Sequence, residues 1–204
     1  MHRLLVALAF AAQLGAAHAA GVSTDPKQAP AGTYTVEPRH TQVLFAISHF
    51  GLTDFYGRFE KIAGTLSFVP GAPEKSRVSV AIDMTSLNVP NSELMTELAA
   101  PVVFDTAHFP QARFESKSLE RTGKDTGRMT GDLTLRGVTK PVTFDVVFNG
   151  GETSPMGAPG YLLGFHATTT IKRSDFGLAG MEWSLLVGDE VKLTIEALFQ
   201  EDKT

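Results

Sequence analysis

From Tyr34 onward, apolar residues recur at every second position. Val43, Phe45 and Ile47 are interleaved with Leu44, Ala46 and Ser48, and Val78, Val80, Ile82 and Met84 with Ser79, Ala81 and Asp83. Val142, Phe144, Val146 and Phe148 alternate with Thr143, Asp145 and Val147. Val191, Leu193, Ile195, Ala197 and Phe199 alternate with Lys192, Thr194 and Glu196. Successive side chains on a strand point to opposite faces, so each segment has one apolar and one mostly polar face. Weaker alternation covers 59–69, 112–119, 129–135 and 163–171. Turn residues separate the segments: Pro70-Gly71-Ala72-Pro73, Gly123 to Gly127, Gly150-Gly151 and Gly157 to Gly160. The pattern predicts an all-β, antiparallel chain of about eight strands. One stretch departs from it. Asn91 precedes Leu94, Met95 and Leu98 at helical spacing, which predicts one short helix near residues 91–99, stopped by Pro101. No repeat or linker divides the rest, so residues 33–204 read as one domain.

A chain of this kind builds either a sandwich or a closed barrel. A sandwich fills its core with its own side chains, whereas a barrel of about eight strands is just wide enough to hold a ligand. The apolar faces set many Phe beside small residues such as Gly64, Ala112, Gly131, Ala167 and Ala197, and Phe outnumbers Tyr and Trp by 14 to 3 and 1. Large beside small suits packing complementarity and the wall of an elongated cavity equally well.

The N-terminus has the features of an address. His2 and Arg3 precede an apolar run from Leu4 to Ala12, and Ala17-His18-Ala19 closes the segment, which predicts a cleaved secretory signal peptide over 1–19. The run is too short to span a bilayer. Residues 20–32, with Pro26, Pro30 and Gly32, read as a flexible lead-in.

Composition narrows the chemistry. With no Cys, thiol catalysis and thiolate metal sites are excluded, and a net charge of −4 argues against a nucleic-acid partner. Asp125-Thr126-Gly127 matches the aspartic-protease triplet, but Gly123, Lys124 and Arg128 mark it as a polar turn. Asp175-Phe176-Gly177 lacks the companion loops of a kinase. His40 and His49 are an odd number of residues apart and face oppositely on an unbroken strand, while His108 falls in a loop and His166 stands alone. Asp83, Asp105 and Asp145 are not paired by spacing. No catalytic constellation, metal site or cofactor is expected.

Several motifs together carry a resemblance. They are Tyr34-Thr35-Val36-Glu37-Pro38-Arg39-His40-Thr41 followed by His49; Gly57-Arg58-Phe59 with Gly64; Phe104-Asp105-Thr106-Ala107-His108-Phe109-Pro110; and Arg113-Phe114-Glu115-Ser116. The most specific are the run from Gly131 through Arg136-Gly137-Val138-Thr139-Lys140-Pro141 to Val142, and Arg173-Ser174-Asp175-Phe176-Gly177-Leu178. In this order, from Tyr34 to Phe199, the chain resembles the YceI-like family of secreted polyisoprenoid-binding proteins. It departs from the family's usual pattern at Glu37, in place of Asp, and over Glu97 to Phe104.

The resemblance implies a lipocalin-like β-barrel and a periplasmic carrier, not an enzyme. Its partner would be an isoprenoid (a polyprenyl chain or an isoprenoid quinone) or a similar long-chain amphiphile. It implies no stable membrane insertion and leaves a homodimer open. On the apolar faces, the expected cavity wall is Phe45, Ile47, Phe59, Phe68, Val80, Ile82, Phe114, Leu133, Phe144, Phe165, Trp183, Leu193 and Ile195. His49, Arg173 and Asp175 are candidate head-group contacts, with an Arg173–Asp175 pair fixing a barrel corner as the competing role. Two other readings stand beside the carrier: a ligand-free structural or stress-related barrel filled by its own Phe side chains, and an enzyme acting on an isoprenoid.

Overall fold

The structure, a computed structural model, describes residues 21–155, 159–178 and 186–202. The expected signal peptide and Trp183 therefore lie outside the described residues. The elements are β1 (Gly32–Val36), β2 (Gln42–His49), β3 (Thr53–Phe59), β4 (Ile62–Phe68), β5 (Arg77–Asp83), β6 (Leu87–Asn88), α1 (Ser92–Ala99), β7 (Gln111–Arg121), β8 (Thr126–Leu135), β9 (Val138–Thr153), β10 (Tyr161–Lys172) and β11 (Val187–Glu201). All pairings are antiparallel, and the order β1-β4-β5-β7-β8-β9-β10-β11 closes on itself because β1 also pairs with β11. This ring of eight strands is the expected barrel.

The remaining strands prolong the ring. Strand β11 meets β1 at residues 199–201 and β2 at residues 187–196, so two successive strands share its length. Likewise β3 follows β4's line to pair with β2 and β6. The first three staves of the barrel are thus each broken once, at 37–41, 60–61 and 84–86. Each break has a chemical cause. At the first, the Glu37 carboxylate accepts the backbone N–H groups of Arg39 (3.3 Å) and His40 (3.1 Å), which takes them out of the ladder. At the second, Ser86 Oγ accepts N–H groups from Glu60 (3.1 Å) and Lys61 (3.0 Å). At the third, Asp83 accepts Thr85 N–H at 2.9 Å and caps a single 3-10 turn, so the alternation that predicted strand through Met84 stops one residue earlier.

Helix α1 begins where expected, with Asn91 accepting the Leu94 N–H at 3.0 Å. Of the lead-in expected over 20–32, the described residues 21–31 are tied to the barrel and Gly32 opens β1. Ser23 and Gly151 exchange backbone hydrogen bonds of 2.8 and 2.9 Å, Ala29 is buried, and Tyr34 Oη donates to the Pro30 carbonyl at 2.8 Å. Pro141 lies inside β9. It sits where β9 has β8 on one side and pairing with β10 has not begun, so its missing N–H costs no ladder bond.

One end of the barrel gathers the β2–β3 hairpin, α1 with the loop to β7, the β8–β9 turn at Arg136-Gly137, and the residues on either side of Arg173 and Val187. Among the described residues, the three non-glycine positions with positive φ, Phe50 (57°), Asp105 (49°) and Arg136 (51°), all sit at this α1 end. Such backbone is sparsely populated for L-residues and concentrates at functional ends of a fold. Arg136 ties the end together by donating to the carbonyls of Gly177 (3.1 Å) and Pro101 (2.8 Å).

Candidate functional site

The buried apolar side chains do not form one mass. They fall into two clusters, one around Phe45, Phe59, Phe68, Phe148 and Phe199 and one around Phe114, Leu133, Phe144 and Phe176. Val78, Val80, Leu98, Phe104 and Leu135 touch both. Between them lies a cavity of about 850 Å³. That is within the ordinary range of small-molecule sites.

The period of two explains the lining. Every second residue of a barrel strand faces inward, and all twelve described members of the expected wall line this cavity: Phe45, Ile47, Phe59, Phe68, Val80, Ile82, Phe114, Leu133, Phe144, Phe165, Leu193 and Ile195. Phenyl rings meet one another in this wall and just behind it. Phe45 meets Phe55 and Phe59 at centroid distances of 6.5 and 6.0 Å, and Phe148 meets Phe68 and Phe165 at 6.4 and 5.4 Å. The small residues give room for these rings. A Cβ on Gly57 would come within 2.3 Å of the Phe45 ring, and one on Gly131 within 2.5 Å of the Phe114 ring. Large beside small is therefore packing complementarity inside the wall of a cavity.

Polar lining is confined to a few positions. At the α1 end are His49, Thr53, Asp54 and Glu97, and there Asp54 is paired with Lys192 Nζ at 3.1 Å. Toward the opposite end are Ser76, Arg77 and Ser116. Ser116 Oγ accepts Val78 N–H at 2.8 Å, and Arg77 donates to the carbonyls of Glu74 (2.9 Å) and Ser76 (2.8 Å).

Of the three candidate head-group residues, His49 and Arg173 line the cavity and Asp175 does not. Arg173 and Asp175 share no strand face, because β10 ends at Lys172 and Arg173 to Phe176 form a 3-10 turn closed by Gly177 at φ 74°. Arg173 is buried and Asp175 exposed. The Arg173 guanidinium donates to the carbonyls of Gly188 (2.9 Å), Val187 (3.1 Å) and Leu178, and so joins this turn to the start of β11. The acidic partner of the turn is Asp189. It accepts from Ser174 Oγ (2.7 Å) and N–H (3.0 Å), and these bonds hold its carboxyl below the usual range.

The sequence pattern did not single out Leu94, Glu97, Leu98, Val103 and Phe104, which line the cavity from α1 and the loop after it. Leu94 and Leu98, four apart on one helix face, were the available signal. Among the described residues, no group of three or more His, Cys, Asp or Glu is placed to hold a metal ion.

Comparison with known proteins matches residues 34–199 to the YceI-like domain. The chain belongs to the YceI-like family. Curated relatives include UPF0312 proteins of Pseudomonas savastanoi pv. phaseolicola, 39% identical over 155 residues (75% of this chain, 80% of the relative), and Pseudomonas putida F1, 40% identical with the same coverage. Among solved structures, the YceI protein of Campylobacter jejuni superimposes with a TM-score of 0.68 at 27% identity, covering 76% of this chain and 90% of its own. Burkholderia cenocepacia BcnA gives 0.67 at 24% identity (78% and 95%). A polyisoprenoid binding domain from Saccharophagus degradans, implicated in plant cell wall breakdown, gives 0.62 at 16% (83% and 98%) and shares the fold. The YceI-like barrel, its lining and its α1 end are thus set in a family context.

Proposed function

We propose that this YceI-like protein is an exported carrier that holds an isoprenoid, as a polyprenyl chain or an isoprenoid quinone, or a similar long-chain amphiphile inside the barrel. The observation that carries the reading is the apolar cavity of about 850 Å³ lined by both core clusters. A barrel filled by its own Phe side chains has no such space. The polyisoprenoid-binding domain of the same fold supports the ligand class, and the segment 1–19 supports export to the periplasm.

The mechanism is burial. Each methylene moved from water into the apolar interior contributes about 0.8 kcal/mol. Ordering a flexible tail and losing its translational freedom offset several kcal/mol or more of the sum. Polar groups at the cavity ends, His49 and Arg173 among them, are the proposed head-group contacts.

Native mass spectrometry of the mature protein, followed by mass spectrometry of its organic-solvent extract, tests this. A stoichiometric adduct that extracts as a prenyl chain, quinone or comparable amphiphile is the expected result. Protein that is clean as purified and takes up no added isoprenoid would transfer the assignment to the ligand-free barrel.

A further inference from the structure

Large apolar side chains exposed to solvent are unevenly spread over this molecule. Among the described residues they are Val22, Phe50, Leu52, Tyr56, Met95, Val102 and Leu186. All but Val22 and Tyr56 belong to the α1 end. Phe50, Leu52 and Leu186 form its most prominent group: Leu52 is 83% exposed and Phe50 54%, and Phe50 N–H donates to the Leu186 carbonyl at 2.7 Å. Leu186 also lines the cavity, as does His49, whose ring meets Phe50 edge-on at 4.3 Å. The apolar surface outside is therefore continuous with the apolar surface inside.

A second observation is independent of exposure. The β2–β3 hairpin turns at Phe50-Gly51, with φ of 57° and 67°, and is closed by Leu52 N–H donating to the His49 carbonyl at 3.0 Å. A turn with two central residues at positive φ favours Asn-Gly, and a bulky aromatic residue at its first position is strained. The hairpin holds a phenyl ring where its own stability favours Asn, and it holds that ring in water. Local rules broken without a folding benefit mark a functional position.

We propose that the α1 end docks on a lipid bilayer, with Phe50 and Leu52 as the inserting side chains and Leu186 beside them, and that ligand passes through this end. A narrow apolar hairpin tip penetrates a soft interface, whereas a protein partner of ordinary size needs about 800 Å² of complementary surface. Asp54 beside the hairpin is paired with Lys192, and Glu97 and Asp175 add negative charge at this end, so the attraction is apolar and requires no anionic lipid. The direction of ligand passage rests on the carrier reading; docking itself does not.

The test uses the mature chain and phosphatidylcholine vesicles. Co-sedimentation is compared for the wild type and the Phe50→Asn/Leu52→Ser variant, neither residue of which lines the cavity. The expected result is vesicle binding by the wild type, little changed between 50 and 500 mM salt, and at least a tenfold weaker partition for the variant. Phe50→Asn alone is expected to raise the melting temperature while weakening binding, so lost binding is not lost folding. Equal partition of the two proteins, or no binding by the wild type, overturns the proposal. So does a concentration-dependent dimer in sedimentation velocity that the variant abolishes, since the patch would then belong to a second copy. Native mass spectrometry of the variant keeps the two readings apart: retained ligand with lost vesicle binding supports both, and vesicle binding by ligand-free wild type supports docking alone.

Discussion

At the scale of single residues, two positions test how the barrel is held. Glu37 is buried at the first strand break. Burial alone would raise its pKa, but hydrogen bonds from the Arg39 and His40 side chains (2.8 and 2.5 Å) and the Arg39 N–H outweigh it and hold the carboxyl below its ordinary value of 4.5. Folding therefore favours the charged form. The stabilisation is complete above pH 4.5 and is lost as pH falls through the lowered value. Glu37→Gln is expected to reduce stability at pH 7 by about 1–2 kcal/mol, with the gap to wild type closing in acid; urea melts at pH 7 and pH 3 read both. Gly131 is the other position. A Cβ there meets the Glu115 carbonyl at 2.4 Å as well as the Phe114 ring, so Gly131→Ala is expected to destabilise by about 1–3 kcal/mol in thermal melts. An unchanged melting temperature would show that β7 and β8 yield freely at this point. Neither role was legible in the sequence. Glu37 stood out only as a departure from the family motif, and Gly131 as one small residue among several, whose deciding neighbours on β7 are set by strand pairing.

At the scale of elements, legibility followed the range of the interaction. The alternation in β5, β8, β9 and β11 and the Asn91 cap are local, and they predicted strands and helix close to where they stand. The break at 60–61 was not legible, because the Ser86 hydroxyl that accepts from the Glu60 and Lys61 N–H groups lies about 25 residues away. Helix α1 has eight residues and none fully buried, too little to be stable alone. It depends on Leu94 and Leu98 against the cavity and on the loop that follows, whose Pro101 carbonyl accepts from Arg136. Arg136→Ala is therefore expected to speed amide hydrogen exchange across 92–106 by about tenfold, the equivalent of about 1.4 kcal/mol of lost local stability. Exchange unchanged in that segment would assign its order to the leucines alone.

At the scale of the whole molecule, the cavity is the property that separates a carrier from a filled barrel. The alternation of faces was legible in the period of two; which face turns inward and how much space it encloses were not, because both depend on how the ring closes. Ala167 faces this space midway along β10, opposite Ile195 and Val146 in the ladder. Ala167→Trp is expected to obstruct the cavity and reduce extractable ligand at least tenfold while the protein remains folded by circular dichroism. Full ligand content in a folded Ala167→Trp variant would place the ligand elsewhere.

The ring also has a seam. Strand β11 alone contacts β10, β1 and β2, and its meeting with β1 is three residue pairs long. A growing chain that has not yet produced residues 187–201 has no closed form available, however well its earlier hairpins pair. Closure waits for the last strand of the ring, and the chain stays open and threadable until that strand arrives.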